Sequence, residues 1–300
     1  MEDFSLEKVI KNIKLKELCP NEKTYYELSE YLENKFNTNA EIPENISDED
    51  FIPKWESIVK KYSNLKTNQE KEDYINEIFP RENKMKFKDV GSIKMRVYSS
   101  ISGRIPIIYI ENVDDFYELK TQVVNFGKPD PNIKQVGAAF VKSRLEKFII
   151  LSYKPYSNVS ASELGLTDDQ WKDYSMMIRK EHELAHFFTE KFLDSAKLNI
   201  HDELVADFVG IFSAVGKYHA LWFLKGMGID KYPEPQKKGR FSAYVTKLSD
   251  ESREILKGIT VKAAINIEKW SNTEESKNMN MREKIVFLCK NNVINLYSLY

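Results

Sequence analysis

The sequence predicts an α+β fold, in which a small, mostly antiparallel sheet packs on a long helix and a helical C-terminal lobe follows. Three observations carry that reading. Apolar residues alternate with period two between about residues 90 and 155, as in Ile93, Met95 and Val97 against Lys94, Arg96 and Tyr98. After Pro155 the apolar residues recur at helical spacing to the end of the chain. With 300 residues, 42% of them hydrophobic and 12% aromatic, the chain can bury the core of one large domain or two smaller ones.

Composition narrows the class further. Lys and Arg number 45 against 46 Asp and Glu, a net charge of -1, which provides neither a nucleic-acid footprint nor a polybasic membrane surface. Eleven Gly and 10 Pro exclude collagen-like and low-complexity chains. The longest aliphatic stretches, such as Phe148-Ile149-Ile150-Leu151, are strand-sized and far short of the ~20 residues that cross a bilayer. Cys19 and Cys289 are too few and too distant for a disulfide framework and read as two reduced thiols. The acidic start, Met1-Glu2-Asp3-Phe4, lacks the basic and apolar pattern of a secretory signal. The expectation is a cytoplasmic protein.

Residues 1–85 read as an N-terminal helical region, with Leu28, Tyr31, Leu32 and Phe36 on one stripe before the loop of Pro43 and Pro53. Residues 86–300 form the second domain, its sheet part at 90–155 and its helical part at 166–300. Within the sheet part, Ile105 to Ile110 is a β-branched run behind Gly103, and Val113 to Phe126 is helical. Val136 to Val141 and Lys147 to Tyr153 form a hairpin with a polar tip at residues 142–146. Thr167-Asp168-Asp169-Gln170 is a capping box opening a helix to about Leu193. Further helices are expected at Asp202–Val215, at Tyr218–Lys225 before Gly226 and Gly228, and at Phe241–Leu256, Val261–Trp270 and Met281–Leu299.

The long helix carries His182-Glu183-Leu184-Ala185-His186. Residues four apart on a helix differ by about 40° and about 6 Å of rise, so both imidazoles leave one face and can close on one cation. Glu183 lies about 100° round, out of ligand geometry but within reach of a water held there. The pattern is H-E-x-x-H: two neutral His ligands for zinc and a Glu as general base. Half of the four histidines stand on this one face. A catalytic zinc commonly takes a third protein ligand. The next helix supplies Glu203, with Asp207 one turn on and Gly210 another turn beyond, opposite an apolar side of Leu204, Phe208, Ile211 and Phe212. Carboxylates on an otherwise apolar helix are costly unless a cation faces them. Glu203 reads as the third ligand, and Asp207 as an acceptor for the outer N–H of a ligating His.

His-Glu-Leu-Ala-His followed by Glu-x-x-x-Asp on the next helix resembles the gluzincin zinc metallopeptidases, with a thermolysin-like or minigluzincin-type catalytic core, over about residues 135–215. The resemblance implies a zincin-like fold, one Zn2+ per chain on His182, His186 and Glu203, Glu183 as the base, and Asp207 behind His182. It also likens Ala139-Phe140 to the edge strand on which such enzymes lay an extended peptide. Gly137, Ala138 and Ala139 are small enough to let another backbone alongside. Between His186 and Glu203 there is no Tyr to assist the transition state. Candidates for that donor are Tyr244, Arg240 and His219, with His201 and Tyr218 behind them. His201 reads equally well as a helix cap. The function expected is hydrolysis of a peptide or protein substrate, without nucleic-acid or membrane partners. Two alternatives stand beside it: a zinc hydrolase of a small non-peptide amide, and a regulatory or binding protein that keeps the metal for stability.

Overall fold

Alternating isoleucines decide how the sheet is layered. In the computed structural model, which describes residues 13–195, 199–234 and 239–300, the chain runs α1 (Glu22–Tyr31), α2 (Ile52–Asn64), α3 (Asn68–Ile78), β1 (Lys94–Ser100), β2 (Gly103–Ile110), α4 (Val113–Val123), β3 (Ala138–Ser143) and β4 (Glu146–Ser152). Helices follow: α5 (Asp168–Leu193), α6 (Ile200–Val215), α7 (Ala220–Met227), α8 (Phe241–Tyr244), α9 (Asp250–Ser271), α10 (Glu274–Asn278), α11 (Met281–Lys290) and α12 (Val293–Tyr297). The fold is α+β as expected. The chain forms two compact units, one of Ile42–Phe188 and one of Met1–Glu41 with Thr189–Tyr300. None of the helices among the described residues is long and apolar enough to cross a membrane.

The unit Ile42–Phe188 is built on a four-stranded sheet in the order β1-β2-β4-β3. β1–β2 and β3–β4 pair antiparallel, whereas β2 and β4 pair parallel, Ile107 beside Ile149 and Ile108 beside Ile150. A parallel pair needs a long crossover, which here contains α4. The two central strands are apolar on both faces. Ile108, Ile110, Phe148 and Ile150 join Trp55, Ile75, Phe116 and Leu119 from α2, α3 and α4. On the other face Ile105, Ile107, Ile149 and Leu151 pack with Leu184 and Phe187 of α5. Each fully buried aliphatic or aromatic side chain contributes about 1.5–3 kcal/mol, so this two-sided burial fixes α5 on the sheet. The hairpin tip departs from the polar turn expected at residues 142–146. Lys142 and Ser143 stay in the ladder opposite Lys147 and Glu146, and Leu145 is buried, its carbonyl accepting from the Trp55 indole N–H at 2.9 Å.

In the other unit α9 is the central helix, with α1, α7 and α12 packed on it, and α6 packs with α7 and α11. Trp270 stacks on Phe287 with ring centroids 4.3 Å apart, and Phe208 lies against both Trp270 and Tyr218. The helix boundaries here differ from those expected. The run at 241–256 breaks after α8, because Ser249 is extended and its hydroxyl caps the Ser252 N–H. α9 then continues unbroken through Gly258, where a Cβ would stand 3.2 Å from the Tyr232 hydroxyl; that glycine makes room for a ring and does not stop a helix. Asn292, capping the Asn295 N–H, splits the expected helix at 281–299 into α11 and α12.

Candidate functional site

The candidate side chains lie in two groups, one in each unit. In the first, the Thr167–Gln170 capping box is present in both directions: Gln170 N–H to the Thr167 hydroxyl at 3.2 Å, and Thr167 N–H to the Gln170 side chain at 3.1 Å. It sets the phase of α5, and Ser175, Arg179, His182 and His186 then fall on one stripe at i, i+4, i+7 and i+11. All four are buried, with exposures of 0, 3, 6 and 7%. A buried polar stripe is costly unless each member is bonded.

The bonds are there. The Arg179 guanidinium donates to the carbonyls of Ser152 (2.8 Å), Lys154 (2.9 Å) and Pro155 (3.3 Å). The Ser175 hydroxyl accepts the Tyr156 N–H at 2.9 Å. His182 Nδ1 lies 3.0 Å from the Tyr156 hydroxyl. His182 Nε2 lies 3.1 Å from His186 Nε2, the rings edge to face. Two imidazoles turned Nε2 to Nε2 either share a proton or present two lone pairs to one cation. Glu183, the next residue along α5, is half-buried.

β3 is an edge strand, as expected, although it starts at Ala138. At Gly137 a Cβ would come within 2.6 Å of Arg179 Nε and Nη2, so this glycine makes room for the guanidinium. Ala139 packs with the α2–α4 face of the sheet and Ala138 with the α5 face.

The second group stands on α6. Asn199 caps that helix, accepting from the N–H groups of His201 (2.8 Å) and Asp202 (3.0 Å), so His201 is not the cap. His201 Nε2–H instead donates to the Leu288 carbonyl at 2.9 Å, with Phe36 edge-on to its ring. Glu203 and Asp207 are 1 and 0% exposed. Arg240 Nη1 reaches Glu203 at 3.3 Å and Nη2 bonds to Asp207. One guanidinium therefore faces two carboxylates. The Tyr244 hydroxyl is also hydrogen-bonded to Glu203, and burial raises its pKa far above the ordinary phenol value. Burial likewise pushes Tyr31 up to about 12; its hydroxyl accepts from Ile200 N–H at 3.2 Å and donates to the Tyr244 carbonyl at 3.3 Å. Tyr218 is buried, its hydroxyl without a partner among the described residues, and desolvation, then the charge of Asp207, raises its pKa.

The expected donors thus fall in different places. Arg240 and Tyr244 sit on the Glu203 carboxylate. His219 lies elsewhere, stacked on Trp222 at 5.0 Å with Glu268 3.9 Å away, its pKa lowered chiefly by burial. Sequence reasoning passed over Tyr156, Ser175 and Arg179. The signal that could have found the last two is the helical spacing of polar residues leading into His182; Tyr156 had none, because it lies on a different element.

Two imidazoles and one carboxylate, His182, His186 and Glu203, all buried, make a donor set that could hold a metal ion. Nitrogen and oxygen donors in that ratio suit zinc in a catalytic setting. The model of a family of unknown function, DUF7005, matches residues 142–299, a stretch that includes β4 and α5 through α12. No curated protein and no solved structure matches the chain.

Proposed function

We propose that this chain, which belongs to the DUF7005 family of unknown function, is a zinc-dependent metallopeptidase working in the cytoplasm. The observation that carries the reading is the pair of buried imidazoles on α5, whose Nε2 atoms converge to 3.1 Å. In this reading His182, His186 and Glu203 hold the ion. A bound zinc supplies polarisation of the scissile carbonyl and lowers the pKa of water towards neutrality. Glu183 takes the proton of the attacking water and returns it to the leaving amine. Arg240 and Tyr244, both bonded to Glu203, keep its carboxylate in one orientation. The edge position of β3 supports an extended peptide as the substrate, since an edge strand has backbone N–H and C=O groups on one side for a further strand. Two free cysteines, one of them buried, support the cytoplasm.

The test is digestion of a peptide library by the zinc-loaded chain and by Glu183→Gln. Cleavage by the parent is expected, with turnover about 10²–10⁴-fold lower in the variant at equal zinc content, because only the base is removed. Equal rates would overturn the mechanism. Hydrolysis of small amides with no peptide cleaved would overturn the substrate class.

A further inference from the structure

We propose that Tyr156 is the positioning residue of His182: its phenolic oxygen accepts the Nδ1–H and holds the ring as the tautomer whose Nε2 lone pair faces His186. The proposal rests on the zinc reading above and adds to it a residue outside the H-E-x-x-H and E-x-x-x-D pattern.

The contact is short and built. Tyr156 O and His182 Nδ1 are 3.0 Å apart, and both residues are buried. The chain around Tyr156 is tied to α5 on both sides of it. Upstream, Arg179 grips the carbonyls of Ser152, Lys154 and Pro155, and its guanidinium lies 5.7 Å from the Tyr156 ring centroid. At Tyr156 itself the N–H is held by Ser175. Downstream, the Trp171 indole N–H donates to the Val159 carbonyl at 2.7 Å. Between these ties Ser157 and Asn158 adopt φ of 53° and 58°, left-handed values that non-glycine residues keep only where the surroundings over-determine them. Trp171, Ser175 and Arg179 therefore set the height of the phenol against α5, and His182 is the next polar residue on the same stripe.

The direction of the hydrogen bond decides the chemistry. If the phenol donates to Nδ1, the neutral ring carries its proton on Nε2 and has no lone pair there for a cation. If Nδ1–H donates to the phenolic oxygen, Nε2 is a ligand atom and the ring cannot swing away without breaking that bond. A buried His pair meant for a metal requires the second arrangement.

The experiment uses the full chain. Nitrogen-15 NMR of histidine-labelled, metal-free protein reads the tautomer of His182, and competition with a chromophoric chelator reads Zn2+ affinity. In the parent, His182 is expected as the Nδ1-protonated form. Tyr156→Phe keeps the ring and its packing but loses the oxygen; it should give a mixture of tautomers and bind Zn2+ about 10–100-fold more weakly, with circular dichroism unchanged. An Nε2-protonated His182 in the parent overturns the proposal, and that measurement stands even if the variant does not fold. So does a folded Tyr156→Phe chain with parental zinc affinity. Failure of the zinc reading looks different: the parent takes up no Zn2+, while the tautomer of His182 still decides what Tyr156 does.

Discussion

Asp207 shows how one residue can have two consequences. It is fully buried one turn after Glu203 and its carboxylate is bonded to Arg240. Replacing it with Asn leaves a half-buried guanidinium with one fewer charge opposite, a change that costs about 1–3 kcal/mol. In the zinc reading Asp207 acts through Arg240 on the orientation of Glu203, so Asp207→Asn weakens zinc binding about 10–100-fold. Urea unfolding reads the first effect and chelator competition the second. Parental values in both would show that the carboxylate is dispensable. Lys154 offers a pH test. Burial first, then the nearby Arg179, lowers its pKa from 10.5 to about 8. A lowered lysine pKa means that the unfolded chain binds more protons between about pH 8 and 10.5, so this group makes stability rise with pH through that window. Lys154→Met should flatten that rise in denaturation curves measured across it; an unchanged slope would contradict the assignment.

At the scale of elements, the strands and the long helix were legible because each carries a strong local signal. Isoleucine runs marked β2 and β4, and Thr167 with Gln170 marked the start of α5. What local signals do not hold was missed. The parallel pairing of β2 with β4 depends on a crossover, and the break expected between Leu256 and Val261 is absent because α9 runs on through Gly258, which admits Tyr232. Gly137 is the parallel case in the sheet unit: sequence alone shows a small residue within the strand expected at Val136–Val141, and only the packing shows the guanidinium beside it. Gly137→Ala would push a Cβ to within 2.6 Å of Arg179, a side chain that is already holding three carbonyls. The variant should unfold about 1–3 kcal/mol more easily, by loss of those bonds or by overpacking. A variant as stable as the parent in urea would mean that Arg179 shifts without loss.

For the molecule as a whole, composition and periodicity were sufficient for the fold class, because an α+β chain announces itself by a change of period along the sequence. The residue types of the buried His-His-Glu cluster were legible as well, since two histidines four apart and an acid on the following helix are a spacing and need no tertiary information. The network behind them was not. Tyr156 reaches His182 from a turn 26 residues earlier in the chain, and Arg240 reaches Glu203 across 37, separations at which sequence spacing carries no angular information. The central claim, one zinc per chain on His182, His186 and Glu203, is tested most directly by metal analysis of the purified protein beside His182→Ala, His186→Ala and Glu203→Ala. The account predicts one zinc per parent chain and its loss in each variant. Metal content unchanged in all three, or no zinc in a folded parent supplied with it, would contradict the claim.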